Sequence, residues 1–132
     1  MMLGLDTNVL IRYLVQDDES QFEKARRLIK RETAAGRKVL VSQLVILETE
    51  WVLRSRYSLS KTEIASVFSG LLEAMDVTIE DEATVEEAIY VWKQGSADFA
   101  DCFIGAKYRR LGCKNTATFD VRASRLPTFV LV

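Results

Sequence analysis

Several acidic side chains of this 132-residue sequence directly follow apolar runs or lie within apolar stretches. Asp6 follows the apolar run that opens LGLDTNVLI, and Asp120 follows a short β-type run in TATFD. Glu48 lies inside the apolar stretch QLVILETEWVL, and Asp101 follows Asp98 by three residues in SADFADCFIGAKYRRLG. Carboxylate oxygens with no histidine or cysteine beside them favour hard cations such as Mg²⁺ or Mn²⁺. The chemistry that such a set would support is hydrolysis by a metal-activated water.

Each acid also has an ordinary structural explanation. Asp6, Asp98 and Asp120 could each cap a helix or close a turn, because Asp is favoured at both places. Asp98 and Asp101 are spaced i,i+3 and therefore share one helix face, opposite the apolar side chains of that helix. Acids in the first turn of a helix also complement its dipole, and a cap explains one member of this pair better than both.

The helix that contains Glu48 has an apolar stripe. At about 100° per residue its members are Leu44, Glu48, Trp51, Val52 and Ser55. We therefore expect Glu48 to be buried and Glu50 to be a solvated acid. A buried ionised carboxylate costs several kcal/mol unless it has a partner. Glu48 would then face either a metal cation or a buried arginine, and the pattern leaves both alternatives open.

Short apolar runs alternate with longer stretches of helical period, which is typical of an α/β fold with a parallel sheet. The predicted strands are 2–5, 38–42, 76–79, 115–118 and 129–132, and the predicted helices are 9–15, 20–34, 44–56, 61–74, 83–93 and 98–111. We expect one domain over residues 1–132, a three-layer α/β/α sandwich around a mainly parallel sheet of about five strands. Because parallel strands end at the same sheet edge, the acids are expected to converge there, where only a cation would let them all stay ionised.

Composition excludes several classes of protein. The sequence has no histidine, so His-dependent triads and His-ligated zinc sites are absent. Cys102 and Cys113 have no metal-site spacing, and we expect both to be reduced thiols in the core. With no visible signal peptide and no apolar stretch of roughly 20 residues, we expect a cytoplasmic protein without a membrane partner.

The charge distribution is more informative than the net charge of −1, which is the balance of 18 basic and 19 acidic residues. Setting aside the five candidate site acids leaves 18 basic against 14 acidic residues, a remainder of +4. The near-neutral total therefore hides a mildly basic surface around the acids, and such a surface could contact a polyanionic partner. The candidates are Arg12, Arg54, Arg109 and Arg122, and a solvated helix face is the alternative for each.

Four stretches, in order along the chain, resemble the acidic motifs of the PIN-domain family and, within it, the VapC-type toxins of bacterial toxin–antitoxin pairs. They are GLDTNVLIRYL, ILETEWVLRSRY, DFADCFIGAKYRRLGC and TATFD, and the resemblance extends over essentially the whole chain. It implies that a catalytic, metal-ligating quartet is formed by Asp6, Glu48, Asp101 and Asp120. It further implies that Asp98 is an additional ligand and that Asn8 and Thr118 support the site.

The same resemblance implies an activity and partners. They are Mg²⁺-dependent endoribonuclease activity, with Mn²⁺ as a substitute, homodimerisation, and inhibition by a cognate VapB-type antitoxin. The alternative from another class is a catalytically silent PIN-like module that binds RNA or a protein without cutting. The presence of an acid at every motif position favours the enzyme.

Overall fold

The computed structural model describes residues 2–132, in which short strands alternate with helices. The strands are β1 (Met2–Gly4), β2 (Lys38–Val41), β3 (Thr78–Ile79), β4 (Thr116–Thr118) and β5 (Phe129–Leu131). The helices are α1 (Thr7–Val15), α2 (Glu19–Ala34), α3 (Gln43–Ser55), α4 (Lys61–Glu73), α5 (Glu82–Gln94) and α6 (Phe99–Arg110), and a short 3₁₀ helix spans Ala123–Arg125. Every predicted strand and helix is present, with ends that differ from the prediction by two residues at most. None of the helices in the described part of the chain is both long and apolar enough to cross a membrane.

The strands pair in parallel within two compact units, which divide between Glu80 and Asp81. In the N-terminal unit the strand order is β1-β2-β3, with β2 in the middle. In the C-terminal unit β4 pairs with β5. The predicted α/β class and parallel pairing are therefore confirmed, and the five strands are hydrogen-bonded as a sheet of three and a pair.

The core of the N-terminal unit is apolar and lies between its helices and the central strand β2. Val39 and Val41 alternate inward along β2 and are fully buried, as expected for a strand that is covered by helices. Ser42 caps α3 by accepting a hydrogen bond from the backbone N–H of Val45 at 3.2 Å. Because a cap of this kind fixes where a helix begins, it also fixes which residues of α3 lie next to the end of β2.

The core of the C-terminal unit is built on aromatic packing around α6. Phe99 meets Trp92 edge-on, with ring centroids 5.0 Å apart, and lies 5.4 Å from Phe103. Cys102 belongs to this buried side, whereas Cys113 is exposed just beyond the end of α6, so the prediction that both thiols lie in the core was wrong for Cys113. Its position after the glycine that ends the helix places it in a surface turn instead.

Candidate functional site

Asp6 stands between β1 and α1 and is the N-cap of that helix. Its Oδ1 accepts a hydrogen bond from the backbone N–H of Thr7 at 2.6 Å. The capping explanation considered from the sequence is thus confirmed for this residue. The cap uses only Oδ1, and the side chain is exposed, so capping and ligand binding are compatible duties for one carboxylate.

Thr7 connects the first motif to the second. It is buried, with 5% of its surface exposed, and its hydroxyl Oγ1 donates a hydrogen bond to Glu48 Oε1 at 2.5 Å. The same residue therefore donates to Asp6 through its backbone and to Glu48 through its side chain. Sequence reasoning did not select Thr7, although a hydroxyl residue directly after a candidate acid was a signal that could have identified it.

The orientation of α3 differs from the prediction. Glu48 is exposed, whereas Glu50 is 3% exposed and is paired with Arg54, whose Nε lies 2.8 Å from Glu50 Oε2. The buried residues of this helix are Ile46, Thr49, Glu50 and Leu53. The stripe was misassigned because α3 carries apolar side chains around most of its circumference, and Leu44 and Trp51 of the predicted stripe are 79% and 50% exposed. A buried acid with an arginine partner does exist here, but that acid is Glu50.

In the C-terminal unit, Asp98 and Asp101 lie at the start of α6. Asp98 occupies the N-cap position, but its carboxylate accepts no capping hydrogen bond within residues 2–132. Burial raises the pKa of Asp101, and the negative charges of Asp98 and Asp120 raise that pKa further, against an opposing effect of Arg122. Asp98 and Asp120 therefore lie close enough to Asp101 for their charges to act on its carboxyl group.

Asp120 is held in a tight turn after β4. Its backbone N–H donates to Thr118 Oγ1 at 3.0 Å, and its Oδ1 accepts from the backbone N–H of Arg122 at 2.8 Å. The turn considered from the sequence is confirmed, and Thr118 orients the backbone of Asp120 rather than its carboxylate. The turn engages Oδ1 of an exposed side chain, which again leaves a ligand role compatible with a local structural one.

The donor chemistry of these acids fits a hard cation, because the ligand atoms that they offer are carboxylate oxygens. Asp6 and Glu48 belong to the N-terminal unit, and Asp98, Asp101 and Asp120 belong to the C-terminal unit. As positioned, no three Asp, Glu or Cys side chains of residues 2–132 are gathered closely enough to hold a metal ion. The metal site therefore stays a prediction from donor chemistry and motif positions.

Asn8 and two of the candidate basic residues lie in the N-terminal unit. Asn8 is exposed in the first turn of α1, where it lines a shallow groove with Arg12. The Arg12 guanidinium pairs with Asp17 at 3.0 Å, and its Nη1 donates to the Tyr57 hydroxyl at 3.2 Å. Arg54 pairs with the buried acid of α3 described above. Both arginines thus have local acidic partners, and their contact with RNA stays a prediction.

The other two candidate arginines differ in how they are held. Arg109 has a side chain 20% exposed, donates to Glu87 at 2.8 Å and donates to the carbonyl of Pro127 at 2.9 Å, so it ties α5 and the approach to β5 together. Arg122 is exposed and lies near enough to Asp101 to oppose the rise of its pKa. Of the two, Arg122 has the position expected of a cation beside the acids.

The structure is an α/β fold in which acids follow β1 and β4 and lie at the start of α6. The PIN domain family model matches residues 4–128, and the chain belongs to this family. The chain is 26% identical over 122 residues to the VapC ribonuclease of Aquifex aeolicus (strain VF5), which covers 92% of this chain and 90% of that protein. A crystal structure of VapBC2 from Rickettsia felis bound to a DNA fragment from their promoter aligns at 16% identity and a TM-score of 0.41, covering 100% of this chain and 98% of that one. The family-level resemblance carried by the four acidic motifs is confirmed.

Proposed function

We propose that the protein is a Mg²⁺-dependent endoribonuclease and the toxin of a VapBC-type toxin–antitoxin pair, folded as a single PIN domain over residues 1–132. The observation that carries this proposal is a match to the PIN domain family model over residues 4–128, the range in which Asp6, Glu48, Asp101 and Asp120 all lie. The similarity to a VapC ribonuclease supports the nuclease class and the toxin role. RNA is the proposed substrate because that relative is a ribonuclease.

The proposed metal ligands are the acids of the four motifs. Asp6, Glu48, Asp101 and Asp120 would hold Mg²⁺, Asp98 would be an additional ligand, and Mn²⁺ would substitute for Mg²⁺. When bound, the ion would neutralise phosphoryl charge and lower the pKa of the attacking water. A hard cation would also offset the mutual repulsion at Asp101 that raises the pKa of this carboxyl group in the C-terminal unit.

The chain's own residues prepare these carboxylates for binding. The Thr7 N–H holds Oδ1 of Asp6, the Thr7 hydroxyl holds Oε1 of Glu48, and the turn after β4 holds Oδ1 of Asp120. Side chains that are fixed by the fold lose little additional rotamer freedom when a ligand binds. Arg122 supports the RNA part of the proposal, since an exposed guanidinium beside the acids can pair with a phosphate.

RNA cleavage by the purified protein tests the proposal. We expect cleavage with Mg²⁺ or Mn²⁺, its loss in EDTA, and its recovery when Mg²⁺ is restored. Asp6→Asn and Asp101→Asn should lower the rate by about 10²-fold or more, as is typical when a group that stabilises transition-state charge is removed. The matched control is Glu86→Gln, which makes the same change of charge on the exposed surface of α5. Cleavage that is independent of metal, or insensitive to Asp6→Asn and Asp101→Asn, would contradict the proposed site.

Binding without cutting is the competing outcome of that assay. If the protein binds RNA with an affinity that does not respond to Mg²⁺, and cuts none of the transfer, ribosomal and messenger RNA in total cellular RNA, the silent PIN-like module is favoured. Asp6→Asn would then not weaken RNA binding, because a carboxylate that holds no metal repels phosphate.

We also propose a homodimer and a cognate VapB-type antitoxin as partners, in the cytoplasm. Exposed apolar side chains such as Leu44 and Trp51 on α3 support a protein–protein contact, because apolar surface of this kind is often covered by a partner. Light scattering on the purified chain should give twice the mass of 15.0 kDa. The antitoxin should suppress RNA cleavage when it is added, and equal cleavage with and without it would contradict this part of the proposal.

A further inference from the structure

We propose that Thr7 is a positioning residue that fixes the carboxylates of Asp6 and Glu48, two of the proposed metal ligands. The inference rests on the proposed function, because it concerns two of the proposed ligands. Its basis is one juxtaposition: a buried threonine whose N–H donates to one acid at 2.6 Å and whose hydroxyl donates to the other at 2.5 Å. These bonds connect β1 and α1 to α3 through a single residue.

The two bonds differ in what they demand of the residue at this position. The bond to Asp6 is made by the backbone, and any residue other than proline could supply it. The bond to Glu48 needs a side-chain hydroxyl, so only Thr or Ser can supply it while keeping the backbone bond and the small volume. A substitution that removes the hydroxyl of Thr7 is therefore expected to remove the hydrogen bond to Glu48 and to retain the hydrogen bond to Asp6.

The place of Thr7 in α1 explains why its hydroxyl is available to an acid. A threonine inside a helix often donates to the carbonyl three or four residues earlier. Thr7 is the first residue of α1, so no earlier carbonyl of that helix lies beneath it. Only 5% of the surface of Thr7 is exposed, which limits competition from water for the hydrogen bond that its hydroxyl donates to Glu48.

Glu48 is the partner that benefits from this bond. It is an exposed acid with three rotatable side-chain torsions, and without an anchor its carboxylate would sample many rotamers. A hydrogen bond to an ionised carboxylate is shorter and stronger than one between neutral groups. Anchoring Oε1 would restrict the other oxygen, Oε2, to a small region. A ligand that is restricted in this way binds a cation with less loss of freedom.

Two conservative variants separate the hydroxyl from the shape of the side chain. Thr7→Val keeps the β-branched shape and removes the donor, whereas Thr7→Ser keeps the donor and removes the methyl group. We expect Thr7→Val to weaken Mn²⁺ binding by about 10- to 100-fold, the usual effect of losing a group that orients a metal ligand. Thr7→Ser should bind Mn²⁺ within about threefold of the unmodified protein, because the orienting bond is retained.

The measurements are calorimetric titration with Mn²⁺ and the rate of RNA cleavage as a function of Mg²⁺ concentration. For Thr7→Val the Mg²⁺ concentration at half-maximal rate should rise in proportion to the loss of Mn²⁺ affinity, with a smaller change in the rate at saturating Mg²⁺. Thermal unfolding of each variant in EDTA shows whether it is folded. If Thr7→Val does not fold, Thr7→Ser and Thr7→Ala decide the question, since only the former retains the donor.

A double-substitution cycle tests whether Thr7 acts through Glu48. In a Glu48→Ala background, Thr7→Val should change Mn²⁺ affinity by less than about twofold, because the partner of its hydroxyl is gone. Equal Mn²⁺ affinity of Thr7→Val and the unmodified protein would overturn the inference and leave the proposed function intact. So would an equal loss in Thr7→Ser and Thr7→Val. Failure of the unmodified protein to bind Mn²⁺ and to cut RNA would overturn the inference and the proposed function together.

Discussion

Gly105 of α6 lies against Phe129 of β5, and a single methyl group added there should destabilise the protein. A Cβ at this position would lie closer than 3.0 Å to Cε1 of Phe129 and 3.1 Å from its Cζ, with Arg109 Nη1 at 3.3 Å. Phe129 is 9% exposed, so its ring has little free space into which it could turn. Arg109 is held by hydrogen bonds to Glu87 and Pro127. Gly105→Ala therefore forces either the ring or β5 to move.

The expected magnitude is a balance of two effects. Overpacking of a core by a methyl group costs about 1–3 kcal/mol. Replacing glycine by alanine within a helix stabilises it by about 1 kcal/mol, which opposes that cost. The net change for Gly105→Ala is a loss of about 1 kcal/mol, and at most about 2 kcal/mol, in the free energy of unfolding. The melting temperature should fall by about 3–5 °C for a chain of this size.

Gly70 supplies a matched control for this prediction. It lies within α4, and apart from its chain neighbours and the adjacent backbone of its own helix, a Cβ there would meet no described atom within 4 Å. Gly70→Ala should therefore show only the gain in helix propensity and stabilise the protein by about 1 kcal/mol. Urea unfolding followed by circular dichroism measures both variants. Equal stabilisation by Gly70→Ala and Gly105→Ala would refute the packing argument, because it would mean that Phe129 yields without cost.

Two further predictions concern the helix caps and the acids. Ser60 and Glu63 form a reciprocal capping box at the start of α4, so Ser60→Ala should lower the free energy of unfolding by about 1 kcal/mol, whereas Ser69→Ala on the exposed face of the same helix should not. Urea midpoints that match for these two variants would contradict the role of the cap. Because burial and the charges of neighbouring acids raise the pKa of Asp101, ionising this group costs folding free energy in metal-free buffer. Asp101→Asn should thus be more stable than the unmodified protein near neutral pH, and the difference should shrink to nothing below about pH 4, where the carboxyl is protonated in both the folded and the unfolded chain. A stability difference that does not change with pH in EDTA would contradict the inference that ionisation of Asp101 destabilises the fold.

Most of the helices and strands could be predicted because local signals agree along the chain. The start of α3 is marked by a serine cap, and the end of α6 by the glycine at position 112, which has a positive φ of 94°. The short strands are apolar runs between such signals. Their grouping into a sheet of three and a pair depends on pairing between distant segments, which local patterns do not encode.

The acids lie on the elements to which the sequence pattern assigned them, but the buried face of α3 was predicted wrongly. Periodicity identifies the buried face of a helix only when apolar residues are confined to one face. On α3, Ile46 and Leu53 compete with Leu44 and Trp51 for burial, and the fold buries the first pair. A buried acid such as Glu50 is also invisible to this reasoning, because its arginine partner offsets the cost of burial. Thr7 was missed because its hydroxyl bonds to Glu48, which is 41 residues away in the sequence, and local patterns do not show such a contact.

The central claim is that the acids of the four motifs support metal-dependent cleavage of RNA. The most direct measurement is the single-turnover rate of RNA cleavage with Mg²⁺ for the unmodified protein, Asp101→Asn and Glu86→Gln, each shown to be folded by circular dichroism. We predict that Asp101→Asn loses about 10²-fold or more of the rate, that Glu86→Gln keeps it, and that EDTA abolishes it. Cleavage by folded Asp101→Asn at the rate of the unmodified protein, or an undiminished rate in EDTA, would contradict the claim.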